Sequence, residues 1–260
     1  MDAERLLDAP ASALRDAPNA TGRFPLVIFA HASPETEFLT AEYLASYGYV
    51  VAAVRSRGAQ SVEYRLTRDN LDAVVSDLDA AVRRMRIEPN VAAGPAGVIG
   101  MSNGAIAAVA LQLSTRDIGA IVSLDGGIGE NAGGTYLRER SGGDTAKFTA
   151  PILHLYTRDN SFLNLEHLRS YTASSRTLVA FDGMRHRDFL SYPAFDRVAA
   201  RFSGNDARPE GHEGFVWLNR YTLHYLDAHL SHTPHGIEFL NSSPERLGPA
   251  SASISIERLP

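Results

Sequence analysis

Between an apolar run and a helix-like run of small residues, the chain reads Gly100, Met101, Ser102, Asn103 and Gly104, a G-x-S-x-G pentapeptide. Few folds let a strand pass into a helix with a serine at the corner. The run Ala96 to Ile99 (AGVI) has the character of a buried strand, and Ala105 to Leu113 (AIAAVALQL) that of a helix packed closely on a sheet. A turn this sharp strains the serine backbone and leaves room only for small residues two positions to either side, which Gly100 and Gly104 supply. It lifts the Ser102 hydroxyl above the sheet. It also leaves the Asn103 amide at a helix N-terminus, where unpaired N–H groups can stabilise an oxyanion. A glycine-flanked serine can also be no more than a turn; the strand before it and the helix after it favour a nucleophile elbow.

The rest of the chain agrees with that context. From Phe24 onward apolar runs alternate with amphipathic stretches, which predicts an α/β fold with a mainly parallel central sheet covered by helices on both faces. Strands are expected at Leu26 to Ala30, Tyr49 to Val54, Ala120 to Leu124, Ile152 to Tyr156 and Thr177 to Phe181, and a first helix at Thr40 to Tyr47. Leu71, Val74, Leu78, Val82 and Met85 recur at helical spacing and predict one long amphipathic helix. A last helix is expected from about Gly214 to His229, turning Trp217, Tyr221, Leu226 and Leu230 toward the sheet. No repeat or linker divides the chain, so residues 1–260 are expected to form a single domain, with a core of about 24–230, an N-terminal extension 1–23 and a surface tail 231–260. Ile237, Phe239 and Leu240 are the expected anchors of that tail. The glycine-rich stretch from Gly126 to Ala150 reads as a mobile excursion above the strand ends.

Charge bears on partners. A formal net charge of -5 without a basic block argues against nucleic acid or an anionic membrane surface, and points to a small-molecule ligand. With no cysteine, a disulfide framework and a thiolate metal site are both excluded. No stretch reaches transmembrane length, and the N-terminus has acidic residues and no apolar core of the signal-peptide kind, so the expectation is a cytoplasmic location.

A serine hydroxyl is a weak nucleophile near neutral pH and needs a base, normally a histidine, with an acid to hold that histidine's tautomer. His186 follows the last expected strand, on the segment GMRHRDF, and comes after Ser102 in chain order, as the base does in an architecture with a strand-to-helix elbow. The other histidines fit less well: His31 ends the first strand, His154 lies inside one, and His167 and His224 sit in helical stretches. His229, His232 and His235 (HLSHTPH) have the spacing of a solvated helix end, and no metal is expected there. Two aspartates compete for the acid. Asp125 closes the strand after the elbow (VSLDGG) and Asp159 follows the next one (LHLYTRDN); either type of position also suits a plain turn residue. The second oxyanion donor is expected in the loop after the first strand (FAHAS), at the amide of Ser33, beside that of Asn103.

With RFPLVIFAHAS, AEYLASYGYVVAAVRSRG, GVIGMSNG, VSLDGG and GMRHRDF, the chain from about Phe24 to Leu230 resembles the α/β-hydrolase superfamily, specifically the dienelactone-hydrolase-like esterases and their platelet-activating-factor-acetylhydrolase-like relatives. The resemblance implies an α/β-hydrolase fold and a serine carboxylesterase that needs no cofactor. It also implies Asp125 as the acid, because acetylhydrolase-like members carry a leucine-aspartate pair at that place; the commoner superfamily arrangement would choose Asp159. Three positions depart from the pattern: Ala32 stands for the usual glycine of the first oxyanion loop, Asn103 follows the serine where histidine, phenylalanine or tryptophan is frequent, and the nucleophile is serine where dienelactone hydrolase uses cysteine. The expected activity is therefore hydrolysis of small, soluble carboxylic esters through an acyl-serine intermediate. Acyl transfer or amide cleavage on the same residues, and a non-catalytic binding domain on a hydrolase fold, are the competing functions.

Overall fold

The computed structural model describes residues 13–30, 34–55, 67–194, 208–248 and 253–260. Among these residues seven strands form one sheet: β1 (Leu26–Ala30), β2 (Val50–Ala53), β3 (Ala96–Met101), β4 (Ile118–Leu124), β5 (Ile152–Thr157), β6 (Arg176–Phe181) and β7 (Ile254–Leu259). Their order is β2-β1-β3-β4-β5-β6-β7. Pairing is parallel from β2 to β6, and β7 alone is antiparallel, with Arg176 opposite Leu259 and Phe181 opposite Ile254.

Burial on both faces explains why β1, β3 and β5 are largely apolar along their whole length. In β1, Leu26, Ile28 and Ala30 pack on one side of the sheet with α2 (Arg68–Met85) and α3 (Asn103–Leu111), while Val27 and Phe29 pack on the other with α1 (Pro34–Ser46) and α6 (Pro209–His229). Helix α2 is amphipathic as its spacing predicts: Thr67 Oγ1 caps it by accepting from Asn70 N at 3.3 Å, and Leu71, Val74, Val75, Leu78 and Val82 form the buried stripe. Helix α3 is different. Gly104 to Leu111 are all buried, which suits a short helix of small and apolar residues wedged between sheet and neighbours.

Three expectations need correction. The stretch from Gly126 to Ala150 is no free excursion: it makes a turn at Gly127–Gly129 and then α4 (Asn131–Ser141). Its glycines at 133 and 134 are there for close approach. A Cβ on Gly133 would lie 2.1 Å from the Gly127 carbonyl oxygen, and one on Gly134 would lie 2.0 Å from the His167 ring, in a short helix α5 (Glu166–Arg169). The tail beyond residue 231 is also ordered where described, as α7 (Pro234–Asn241), α8 (Pro244–Leu247) and the edge strand β7. Of its expected anchors Phe239 is buried, whereas Ile237 is exposed. Helix α6 begins five residues before the expected start (214 − 209), because Gly211 and Gly214, unfavourable for a helix, let it close on the loop carrying Asp188 and Met184. Among the described residues no helix is long and apolar enough to cross a membrane.

The strand order locates the functional end of the sheet. The chain leaves β1 for β2 on one side and returns to β3 on the other, so strand order reverses between β1 and β3. In open parallel sheets the crevice beyond the carboxyl ends of the strands at such a reversal is where ligands bind. The G-x-S-x-G corner ends β3 at that place.

Candidate active site

Ser102 is the single residue between β3 and α3, and one residue can turn a strand into a helix only with an unusual backbone. Its φ is 53° and ψ −122°, a conformation on the order of 1–3 kcal/mol above the ordinary ones. Hydrogen bonds hold it there: Ser102 N donates to the Leu124 carbonyl at 3.1 Å, and the Ser102 carbonyl accepts from Ala105 N at 3.2 Å and Gly127 N at 3.0 Å. A Cβ on Gly100 would lie 2.4 Å from Ala105 N and from Gly104 C, both backbone atoms that cannot yield. Gly100→Ala is therefore expected to destabilise the protein by about 3 kcal/mol, the upper end of ordinary overpacking costs, read as a lowered urea midpoint. The serine itself is partly exposed. Asn103 is the first residue of α3, so its N–H lies among those without an intrahelical acceptor.

Asp125 follows β4 directly, with φ 40°, a value that aspartate tolerates better than most residues. Its N–H donates to the Leu155 carbonyl at 2.7 Å, and its carboxylate is buried, 2% exposed. Oδ1 accepts from Thr157 N at 3.0 Å, and Oδ2 lies 2.6 Å from His186 Nδ1. A buried carboxylate in that position accepts a hydrogen bond from Nδ1–H, which keeps the proton on Nδ1 and leaves the Nε2 lone pair free. The hydrogen bond to Asp125 raises the His186 pKa above its ordinary value; partial burial opposes this, and the charges of Asp125 and Glu130 add to the rise.

Asp159 is not joined to His186. It is exposed on the turn after β5, and its backbone N donates to Thr157 Oγ1 at 3.2 Å. Thr157 links the two loops of the site, because its N–H holds Asp125 while its hydroxyl donates to the Met184 carbonyl at 2.7 Å. Between Ser102 Oγ and His186 there is no hydrogen bond among the described residues; in unliganded sites such contacts commonly tighten only when substrate binds. Ser33, with His31 and Ala32, lies outside the described residues.

The remaining histidines do other work. His154 is buried with Nδ1 2.9 Å from Ser123 Oγ, and burial pushes its pKa down to about 4, so it is neutral and out of reach of solvent. His224 and His235 pack edge to face, with ring centres 4.9 Å apart. Among the described residues no group of three or more His, Asp or Glu is arranged to hold a metal ion. A cavity of about 770 Å³ lined by Gln112, Arg116 and Lys147 opens at the other, amino-terminal end of β4, away from Ser102.

No protein-family model matches the chain, and no curated protein matches it. Among solved structures it is similar to a ferulic acid esterase from Streptomyces cinnamoneus, with a TM-score of 0.62 and 20% sequence identity over 93% of this chain and 76% of that one. With the mainly parallel sheet and its flanking helices, this decides the architecture. The fold is that of the α/β-hydrolases.

In this α/β-hydrolase fold the sequence signals fall at one end of the sheet, where Ser102, Asp125 and His186 follow β3, β4 and β6. Thr157, Glu130, Asp188 and Arg208 have no motif to announce them. Their links, Thr157 to Asp125 and Met184, Arg208 to Asp188, and the charge of Glu130 to His186, join segments twenty or more residues apart and follow no spacing along the chain.

Proposed function

We propose that the protein is a serine carboxylesterase acting on small, soluble esters, with Ser102 as nucleophile, His186 as base and then acid, and Asp125 as the residue that orients His186. The observation that supports it most is the 2.6 Å hydrogen bond from His186 Nδ1 to buried Asp125, at the end of the strand next to the one that carries the strained elbow serine. The ferulic acid esterase among the structural neighbours supports a carboxylic ester as the substrate class.

The chemistry follows from the groups. His186 Nε2 accepts the Ser102 Oγ proton as Oγ bonds to the ester carbonyl carbon, and the amides of Asn103 and Ser33 stabilise the oxyanion. The intermediate collapses when Nε2–H gives its proton to the departing alkoxide, leaving an acyl-serine. Water then enters with His186 as base, and the carboxylic acid leaves as Ser102 regains its proton. This sequence needs no cofactor. Hydrolysis of p-nitrophenyl acetate and butyrate, with an initial burst of p-nitrophenol no larger than one per chain, is the expected result; a protein inert toward short esters contradicts the reading.

The pH dependence has a definite sign. Only neutral His186 can accept the serine proton, and the Asp125 hydrogen bond stabilises the protonated form. kcat/KM should therefore rise with pH through a midpoint above the ordinary imidazole value of about 6.5. A midpoint below that value, with chemistry rate-limiting, contradicts the assignment of His186.

A further inference from the structure

The His186 side chain is 54% exposed, so packing does little to fix its ring. One hydrogen bond to Asp125 sets which nitrogen points inward but leaves the ring free to swing about that contact. Accuracy at Nε2 must then come from the backbone that carries the ring, and this backbone is held on both sides of residue 186. Thr157 Oγ1 donates to the Met184 carbonyl, and Phe189 is buried edge-on against Phe181, with ring centres 5.9 Å apart.

The remaining anchors come from one ion pair. Asp188 is 1% exposed, and its Oδ2 accepts from Arg185 N at 2.8 Å and from Arg208 Nη1 at 2.8 Å. The other arm of the guanidinium, Nη2, donates to the Gly183 carbonyl. Arg208 stands at the start of α6, and Gly211 in its first turn lets the helix come close: a Cβ there would lie 3.1 Å from Asp188 Oδ2. The fork of an arginine suits this arrangement, since two separate nitrogens reach the carboxylate and the carbonyl in a fixed planar geometry, where a lysine offers a single nitrogen.

We infer that the Arg208–Asp188 pair is a positioning element for His186, pinning residues 183 and 185 from the start of α6 so that the half-exposed imidazole keeps Nδ1 on Asp125 and Nε2 toward Ser102. The catalytic part of this inference rests on the serine-esterase reading. The geometric part does not, because it concerns the His186–Asp125 hydrogen bond itself.

The test compares the full-length protein with Arg208→Met, Arg208→Lys and Asp188→Asn, and with Arg140→Met, which breaks the Arg140–Asp72 pair between α4 and α2. The readouts are kcat and KM on p-nitrophenyl acetate, the His186 pKa by NMR titration, and the low-field proton of its bond to Asp125. Arg208→Met and Asp188→Asn are each expected to lower kcat about 10- to 100-fold with KM within about threefold, the scale of a small misplacement of a catalytic group. The His186 pKa should fall toward about 6.5 and the low-field proton should broaden or vanish. Arg208→Lys should lie between wild type and Arg208→Met, and the Arg208→Met/Asp188→Asn double variant should lose no more than the worse single one, as for residues acting as a unit. Arg140→Met should leave the His186 titration unchanged. Wild-type kcat and His186 titration in Arg208→Met, even with a lowered melting temperature, would overturn the inference and assign the pair to stability alone. If Arg208→Met and Asp188→Asn fail to fold, Arg208→Lys carries the same comparison, and a wild-type titration in it overturns the inference equally. Should the wild-type protein hydrolyse no ester, the esterase reading fails, while the NMR arm still decides whether the pair positions His186.

Discussion

Ser102→Ala is expected to lower kcat for ester hydrolysis by about 10⁴- to 10⁶-fold while the protein stays folded. The loss is large because the nucleophile is the one group whose role cannot be shared: His186 and the oxyanion amides can still polarise an ester, but no acyl-enzyme forms. The fold should survive for a local reason. Alanine keeps the Cβ and therefore meets the same backbone constraint at φ 53° as serine does, and all the hydrogen bonds that pin residue 102 among the described residues come from its backbone. Stability should change by less than about 1 kcal/mol, as for substitutions that remove no buried contact. Steady-state kinetics beside urea denaturation checks both halves.

The second large effect separates two aspartates. Asp125→Asn should lower kcat by up to about 10⁴-fold, and Asp159→Asn by less than about threefold. In Asp125→Asn the amide oxygen can go on accepting from Thr157 N, which turns the NH₂ group toward His186 Nδ1. Nδ1 must then be the acceptor, the ring proton moves to Nε2, and the imidazole can no longer take a proton from Ser102. The shape is kept and the tautomer is wrong. Asp159 is exposed and serves Thr157 through its backbone N, which asparagine retains. Near-inactive Asp159→Asn beside active Asp125→Asn would reverse the assignment of the acid and leave the esterase chemistry standing.

What could be read in the sequence follows from how local each signal is. The elbow was legible because its constraint lies within five residues: the glycine at 100 is demanded by backbone atoms only four and five positions away. The parallel strands were legible because burial on both faces writes them as continuous apolar runs, so β1 matches its expected bounds and β5 and β6 differ by one residue. Glycine misled where its purpose was contact. Gly133 and Gly134 read as mobility, yet they exist to let α4 approach the Gly127 turn and the His167 ring, and nothing in the local sequence distinguishes the two uses. The edge strand β7 was missed because its partner β6 is about eighty residues away and six residues of alternation are a weak signal. The choice between Asp125 and Asp159 was likewise a question of distance in space: both end strands, and only one carboxylate meets His186. Arg208 and Asp188 were silent in the sequence for the same reason.

The central claim is that Ser102 is a nucleophile activated by His186. The most direct measurement treats the protein with a small fluorophosphonate across pH and locates the adduct by peptide mass spectrometry. The account predicts one adduct per chain, on Ser102, forming at a rate that rises with pH through the same midpoint as ester hydrolysis and is lost in Ser102→Ala. Ester hydrolysis with Ser102 unmodified, or an adduct on another residue whose formation parallels inactivation, would contradict it.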